Sequence, residues 1–305
     1  MNMNIEDYFI GYLNLIKSFI RINKNIKNPY DLILFRSGFK KKIVIKTKNG
    51  NKYVIKNISD YKNFWGDLGL NEMGLNITQN KDILSLNWKD KKISFYKQKN
   101  NDSTWGAFKD QFIEEQYKYL HVKNRVVVDI GANMGDSAIY FALEGAKMVY
   151  GFEPYPLIYD LSIKNIKLNN LVKQITLINK GVGSPSYIHV KEDFISAGGS
   201  ELKDYKEGRK IEIISLKDVL TRYKIPKHSA LKIDCEGSEY EILLNSNNEI
   251  FSMFDRVMVE YHYGYKNLVK QLKKYYKNVK YTRPTAIFNV ESNKKMYCGL
   301  IYASN

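Results

Sequence analysis

From about residue 125 onward the chain alternates short, nearly all-apolar runs with amphipathic stretches. VVVDI precedes a helical pattern at 136–144, MVYGF one at 157–169, and ITLINKG an irregular stretch. IEIIS then leads a helix at 215–223, ALKID one at 238–244 and RVMVEYH one at 265–276. Runs this short and this apolar are strands buried on both faces, and helices between them imply a parallel sheet covered on both sides. Two last strands, near 278–290 and 296–303, leave no room for a crossover helix and must pair antiparallel. The pattern predicts a doubly wound, mostly parallel α/β sheet with an antiparallel strand near its C-terminal end.

The first hundred residues carry other periodicities. Ile5, Phe9, Tyr12, Leu13, Ile16, Phe19 and Ile20 recur at helical spacing over 5–22. This predicts an amphipathic helix docked on the body of the protein, with peripheral membrane contact as the other reading. IVIKT and KYVIK alternate apolar and polar around Asn49-Gly50, a hairpin signal. A second hairpin is expected through ILSLNW and KISFYK around Lys89-Asp90-Lys91, and a helix over 105–120. The expected division is a small N-terminal α+β region over 1–104, shaping the acceptor site or an oligomer contact, and a larger domain over 105–305.

Composition narrows the class. Forty-eight basic and 32 acidic side chains give the 305-residue chain a net charge of +16. The lysines are spread along the chain without a dense run, which reads as overall composition rather than a nucleic-acid surface. Two cysteines, Cys235 and Cys298, cannot build a disulfide framework or a cysteine-based zinc site. No apolar run approaches the ~20 residues of a membrane span, and the first residues lack a signal-peptide pattern. A cytoplasmic protein is expected.

In such sheets ligands bind outside the carboxyl ends of the strands, so those ends carry the chemistry. The first reads Asp129-Ile130-Gly131-Ala132-Asn133-Met134-Gly135-Asp136-Ser137. Glycines at 131 and 135 allow a tight turn and close approach, and the following helix aims free amides at the same place. The second strand ends Glu153-Pro154, 22 positions after Gly131, where a carboxylate can accept both hydroxyls of a ribose. A dinucleotide fingerprint fails at Asn133 and Asp136, and there is no Walker lysine. A nucleoside carrying an amino acid remains: ribose on Glu153, a carboxylate on the loop amides, an ammonium near Asp129. S-adenosylmethionine is the expected cofactor. Asp129, Gly131, Ala132, Asn133, Gly135, Ser137, Glu153 and Pro154 would hold it, although Asp129 could instead only tie the loop.

The fourth strand ends Lys232-Ile233-Asp234-Cys235-Glu236-Gly237-Ser238-Glu239, and the fifth Glu260-Tyr261-His262. In this order and spacing DIGANMGDSA, GFEP, LKIDCEGSEYEIL and VEYH resemble the FkbM family of S-adenosylmethionine-dependent methyltransferases over roughly residues 105–305. The resemblance implies a seven-stranded, Rossmann-like class I methyltransferase sheet. It also implies O-methylation of a hydroxyl on a sugar, glycan or secondary metabolite. The expected catalytic residues are His262, Asp234 and Glu236. His262 would be a base that is neutral near pH 7, and the two carboxylates would orient it or the acceptor. The same three residues could instead coordinate a divalent metal; the base is preferred and no metal is expected. Glu239 and Glu241 read as helix-start carboxylates, and Cys235 as a small buried hydrophobe. Rival functions are an RNA methyltransferase, encouraged by the charge, and an inactive cofactor-binding module. DCEG stands where base-amine methylation commonly carries an Asn/Asp-Pro-Pro-aromatic element, so nucleic acid is not the expected partner.

Overall fold

The computed structural model describes residues 23–48, 77–80, 82–96, 108–192, 204–289 and 294–305, with 50, 52–57 and single positions between 60 and 106. The amphipathic pattern over 5–22 lies outside them. Helix α1 (Tyr30–Arg36) packs on a hairpin of β1 (Ile43–Lys46) and β2 (Lys52–Ile55). Alternation turns Ile43 and Ile45 inward with Ile26, Leu32, Ile55 and Phe64, a small core of its own.

The second hairpin forms where its pattern predicts, from β4 (Ile83–Trp88) and β5 (Lys91–Tyr96), with β3 (Ile77–Asn80) on its far side. Lys89 and Asp90 both take positive φ, the geometry of a two-residue hairpin turn. This hairpin does not share the core of β1 and β2. Leu84, Leu86, Trp88, Ile93 and Phe95 join Phe112, Tyr140 and Phe141 in the core of the larger unit. A boundary at residue 104 therefore cuts through one continuous core.

The single helix expected over 105–120 is broken within its described stretch, 108–120. Phe108–Ile113 winds as a π-helix and Lys118–Leu120 as a 3₁₀ turn, separated at Glu115 with φ +46°. Phe112, Tyr117 and Leu120 all reach the core from this broken segment. Tertiary packing overrides the helical spacing.

Beyond it the sheet is assembled from β6 (Val126–Ile130), β7 (Met148–Phe152), β8 (Ile175–Ile178), β12 (Ser229–Ile233), β13 (Phe254–Tyr261), β14 (Asn278–Tyr281) and β16 (Lys294–Ser304). Their order is β14-β16-β13-β12-β6-β7-β8. The run from β8 to β13 is parallel, and β16 pairs antiparallel with both β13 and β14. This is the mixed, Rossmann-like sheet that the alternating pattern predicts. Helices α2 (Asp136–Leu143), α3 (Pro156–Leu168), α4 (Leu216–Arg222), α5 (Glu239–Leu244), α6 (Asn248–Phe251) and α7 (Lys266–Leu272) follow its strands. Two cores result, one containing Ile139 and Tyr140, the other Leu243 and Leu268.

Two local differences have plain causes. The strand expected over 278–290 divides into β14 and β15 (Thr285–Asn289), because Pro284 has no amide for the ladder. The stretch between β8 and α4 holds a small sheet of β9 (Gly181–Val182), β10 (Ser186–Val190) and β11 (Arg209–Ile214). Strand order reverses at β6, which sits between β7 and β12, and the crevice outside that point is where ligands bind in open α/β sheets.

Candidate active site

At the end of β6 the chain turns through Gly131 at φ +79°, where a Cβ would lie 1.7 Å from the carbonyl oxygen of Asp234. Only glycine lets the loop cross the end of β12 this closely. The amides of Gly131 and Ala132 both donate to the Phe152 carbonyl at 3.0 Å, tying the loop to β7. Asn133 takes φ +43° and donates its amide to Glu153 Oε2 at 3.0 Å. Gly135, at φ +84°, precedes the first residue of α2 and packs against Ser162.

Glu153 is buried at the tip of β7, and its Oε1 accepts from the Tyr155 amide at 2.9 Å. Burial raises its pKa to about 7, although the two amide bonds work the other way. Each carboxylate oxygen spends one lone pair on the backbone and keeps one. A carboxylate so fixed fits a pair of ribose hydroxyls. Asn133 Oδ1 is buried nearby and accepts no hydrogen bond from the described residues, a second acceptor for a ligand. Gly131, Asn133, Glu153, Pro154, Asp234 and Glu236 line one cleft. These residues fit S-adenosylmethionine.

Asp129 is placed differently from the expectation. It is fully buried, accepts from Ser137 Oγ at 2.7 Å and faces Lys232 Nζ at 3.2 Å. The position expected for a cofactor ammonium beside Asp129 is taken by this lysine. Lys232 Nζ also donates to the Gly131 carbonyl at 2.8 Å and lies 3.6 Å from Asp234 Oδ2. Burial opposes its charge, but Asp129, Asp234 and Asp136 outweigh that and raise its pKa. Ser137 and Ala132 are likewise buried and do not line the cleft. Asp129, Ala132 and Ser137 thus shape the loop from beneath, and Gly131, Asn133, Glu153 and Pro154 face the cleft.

The expected catalytic trio does converge. His262 Nε2 is 3.1 Å from Glu236 Oε2 and 3.8 Å from Asp234 Oδ1. Its Nδ1 meets Glu239 Oε1 at 3.1 Å, and its backbone amide donates to the same oxygen at 3.0 Å. Its protonation differs from the expectation of a neutral imidazole. Burial alone would lower its pKa, but the Glu239 hydrogen bond and the charges of Glu236, Glu239 and Asp234 raise it to about 10. His262 is an imidazolium at neutral pH, standing behind the two carboxylates that line the cleft. Glu260, beside them, is pushed up to about 8 by burial and by the charges of Asp234 and Glu236.

Several members of this site stand outside the sequence expectations. Lys232 had a visible signal, a lysine inside an otherwise apolar buried run. Glu239 was hidden by its place at a helix start, where a carboxylate needs no other reason. Tyr117 donates to Asp234 at 3.4 Å from the broken helical segment, a contact that only the fold creates. Cys235 lines the cleft, and burial pushes its thiol well above the ordinary range, as suits a small hydrophobe.

Comparison with known proteins places these residues in a family context. The profile described as "Methyltransferase FkbM domain" matches residues 129–281, just over half of the chain. The methyltransferase sdnD of Sordaria araneosa is 24% identical, with 50% of this chain and 73% of the relative covered. The hexuronic acid methyltransferase AglP of Haloferax volcanii is 28% identical over 46% of this chain and 56% of its own length, so the chain spans little more than half of that relative. Among solved structures, M. capricolum TrmK in complex with S-adenosyl-homocysteine is 16% identical. It superposes with a TM-score of 0.37, covering 62% of this chain and 67% of that one.

Proposed function

The chain belongs to the methyltransferase FkbM domain family and is an S-adenosylmethionine-dependent methyltransferase; from that premise we propose that it methylates a hydroxyl oxygen of a small, sugar-like acceptor. The observation that carries this reading is the shared cleft. Gly131, Asn133 and Glu153 line one part of it, and Asp234 and Glu236 another.

Bound S-adenosylmethionine supplies a methyl group already activated on a sulfonium. The chain's part is therefore alignment, exclusion of water and management of one proton. Glu153 and Asn133 hold the nucleoside, and Gly131 lets the loop lie against the end of β12. Asp234 and Glu236 accept a hydrogen bond from the acceptor hydroxyl, and a carboxylate of this pair takes its proton as the oxygen becomes a nucleophile. A positioned base of this kind contributes about 10²–10⁴-fold. His262 holds Glu236 from behind as a cation, and Lys232 does the same for Asp234 and Asp129.

The acid-lined side favours a neutral polyol over a polyanion. A phosphate brought up to Asp234 and Glu236 would meet like charge. The name of the Haloferax relative also supports a sugar-derived acceptor. The test is incubation with methyl-labelled S-adenosylmethionine and parallel panels of neutral sugars, sugar acids and RNA. Label in an alkali-stable ether of a sugar is the expected result. Label in RNA, or in a base-labile ester, would overturn the hydroxyl reading.

A further inference from the structure

We propose that Asp234, Glu236 and His262 form a divalent-metal site on the acid-lined side of the cleft, suited to a transition ion such as Mn²⁺. The proposal rests on the reading of that side as the acceptor side. One ligand atom from each residue falls within 4.8 Å of the others. Ligands on an ion at about 2.1 Å stand about 3 Å apart when adjacent and about 4.2 Å when opposite. The observed separations from Nε2, 3.1 Å to Glu236 and 3.8 Å to Asp234, lie in that interval. Glu260 Oε1, at 4.0 Å, is a further oxygen on the same side.

A separate observation points to a ligand and not only to an acidic cluster. His262 is 3% exposed, and its ring is aimed by a carboxylate outside the trio. Glu239, itself fully buried, takes Nδ1 and the His262 backbone amide on Oε1. Its Oε2 takes the Gly237 amide at 2.7 Å, next to Glu236. A carboxylate on one imidazole nitrogen, leaving the other directed at oxygen donors, is how metal-ligating histidines are held. When the Nε2 proton is displaced, the remaining proton stays on Nδ1 and the Nε2 lone pair faces those oxygens. A proton and a metal ion then compete for Nε2, and either one offsets the converging carboxylates.

The donor set decides the class of ion. Oxygens with one imidazole suit Mn²⁺, Fe²⁺, Co²⁺ or Zn²⁺, whereas Mg²⁺ prefers oxygens and retained waters. An ion here would also offset the charge of an acidic acceptor and offer its open positions to acceptor oxygens.

The test uses the full chain, stripped with a chelator, dialysed and titrated with Mn²⁺ while the free-ion electron paramagnetic resonance signal is followed. One bound Mn²⁺ per chain is expected. Glu236→Gln and His262→Gln should each weaken it about tenfold or more, and Glu241→Gln on the exposed face of α5 should not. If His262→Gln does not fold, Glu236→Gln decides, because its side chain is a quarter exposed. No uptake at millimolar Mn²⁺, or uptake indifferent to Glu236→Gln, overturns the site. A parallel titration with S-adenosylhomocysteine separates the two readings. Binding of the nucleoside without Mn²⁺ overturns only the metal, and binding of Mn²⁺ without the nucleoside overturns only the cofactor assignment.

Discussion

At the residue scale, Glu153 carries the sharpest expectation. Removing its carboxylate leaves ribose hydroxyls without a charge-assisted acceptor, worth about 1.5–3 kcal/mol. Glu153→Ala should therefore weaken S-adenosylhomocysteine binding about 10- to 100-fold by calorimetry. The pH dependence follows from its raised pKa, about 7 against an ordinary 4.5. Between those values the folded chain holds a proton that the unfolded chain has released, so this group's contribution to stability falls as pH rises through the window. The ionised acceptor is complete only above pH 7. Nucleoside affinity should be flat from pH 8 upward and decline as pH drops below 7; a profile flat down to pH 5 would remove Glu153 from the site. Lys232 makes a different prediction. Lys232→Met leaves Asp129 buried without its cation, and breaking such a pair costs about 3–5 kcal/mol. Urea unfolding should show that loss, and Asp129→Asn on the same background should recover part of it.

At the scale of elements, the loop after β6 and the hairpin of β4 and β5 are decisive. Gly131→Ala would force a methyl group into the Asp234 carbonyl at a positive φ. It should abolish nucleoside binding while leaving far-ultraviolet circular dichroism intact, because only the crossing of two strand ends is disturbed. The hairpin is held to α3 by side-chain amides. Asn165 Oδ1 accepts from the Tyr96 amide and Asn169 Oδ1 from the Ser94 amide, at 2.9 and 3.0 Å. Trp88 packs edge-on to Phe112 and tilted against Tyr140. A chain beginning at residue 105 loses all of this and should fail to fold, whereas one beginning at 77 should fold and bind the nucleoside. Equal melting temperatures for the two truncations would show that the hairpin is dispensable.

For the whole molecule, the net charge of +16 and the acidic cleft act at different ranges. Spread lysines attract polyanions weakly and in a salt-dependent way. The carboxylates Asp234 and Glu236 act only within a few ångströms of the cleft that they line. RNA should therefore bind at low ionic strength, fall away by physiological salt in a filter-binding assay, and take up no label at either. No helix among the described residues is long and apolar enough to cross a membrane.

The alternation of apolar runs and amphipathic helices was sufficient by itself for the existence and parallel direction of the central strands, because a strand buried on both faces reads as a short apolar run and a helix between two such runs makes them parallel. The motifs Gly131 to Gly135, Glu153, and Asp234 to Glu236 were legible for a related reason: each sits at a strand's carboxyl end, where the chain is free of packing duty. Tertiary structure alone decided what surrounds them. Lys232 beneath Asp129, Tyr117 on Asp234 and Glu239 behind His262 come from segments far apart in the chain. The charge state of His262 depends on Asp234, Glu236 and Glu239, which all come from the stretch after β12 and not from β13, and a residue's own neighbours in sequence do not report that sum. The same holds for the helical spacing over 105–120 and for the boundary at 104. Local periodicity records which positions are apolar; which surface they bury against is settled only when the chain closes on itself.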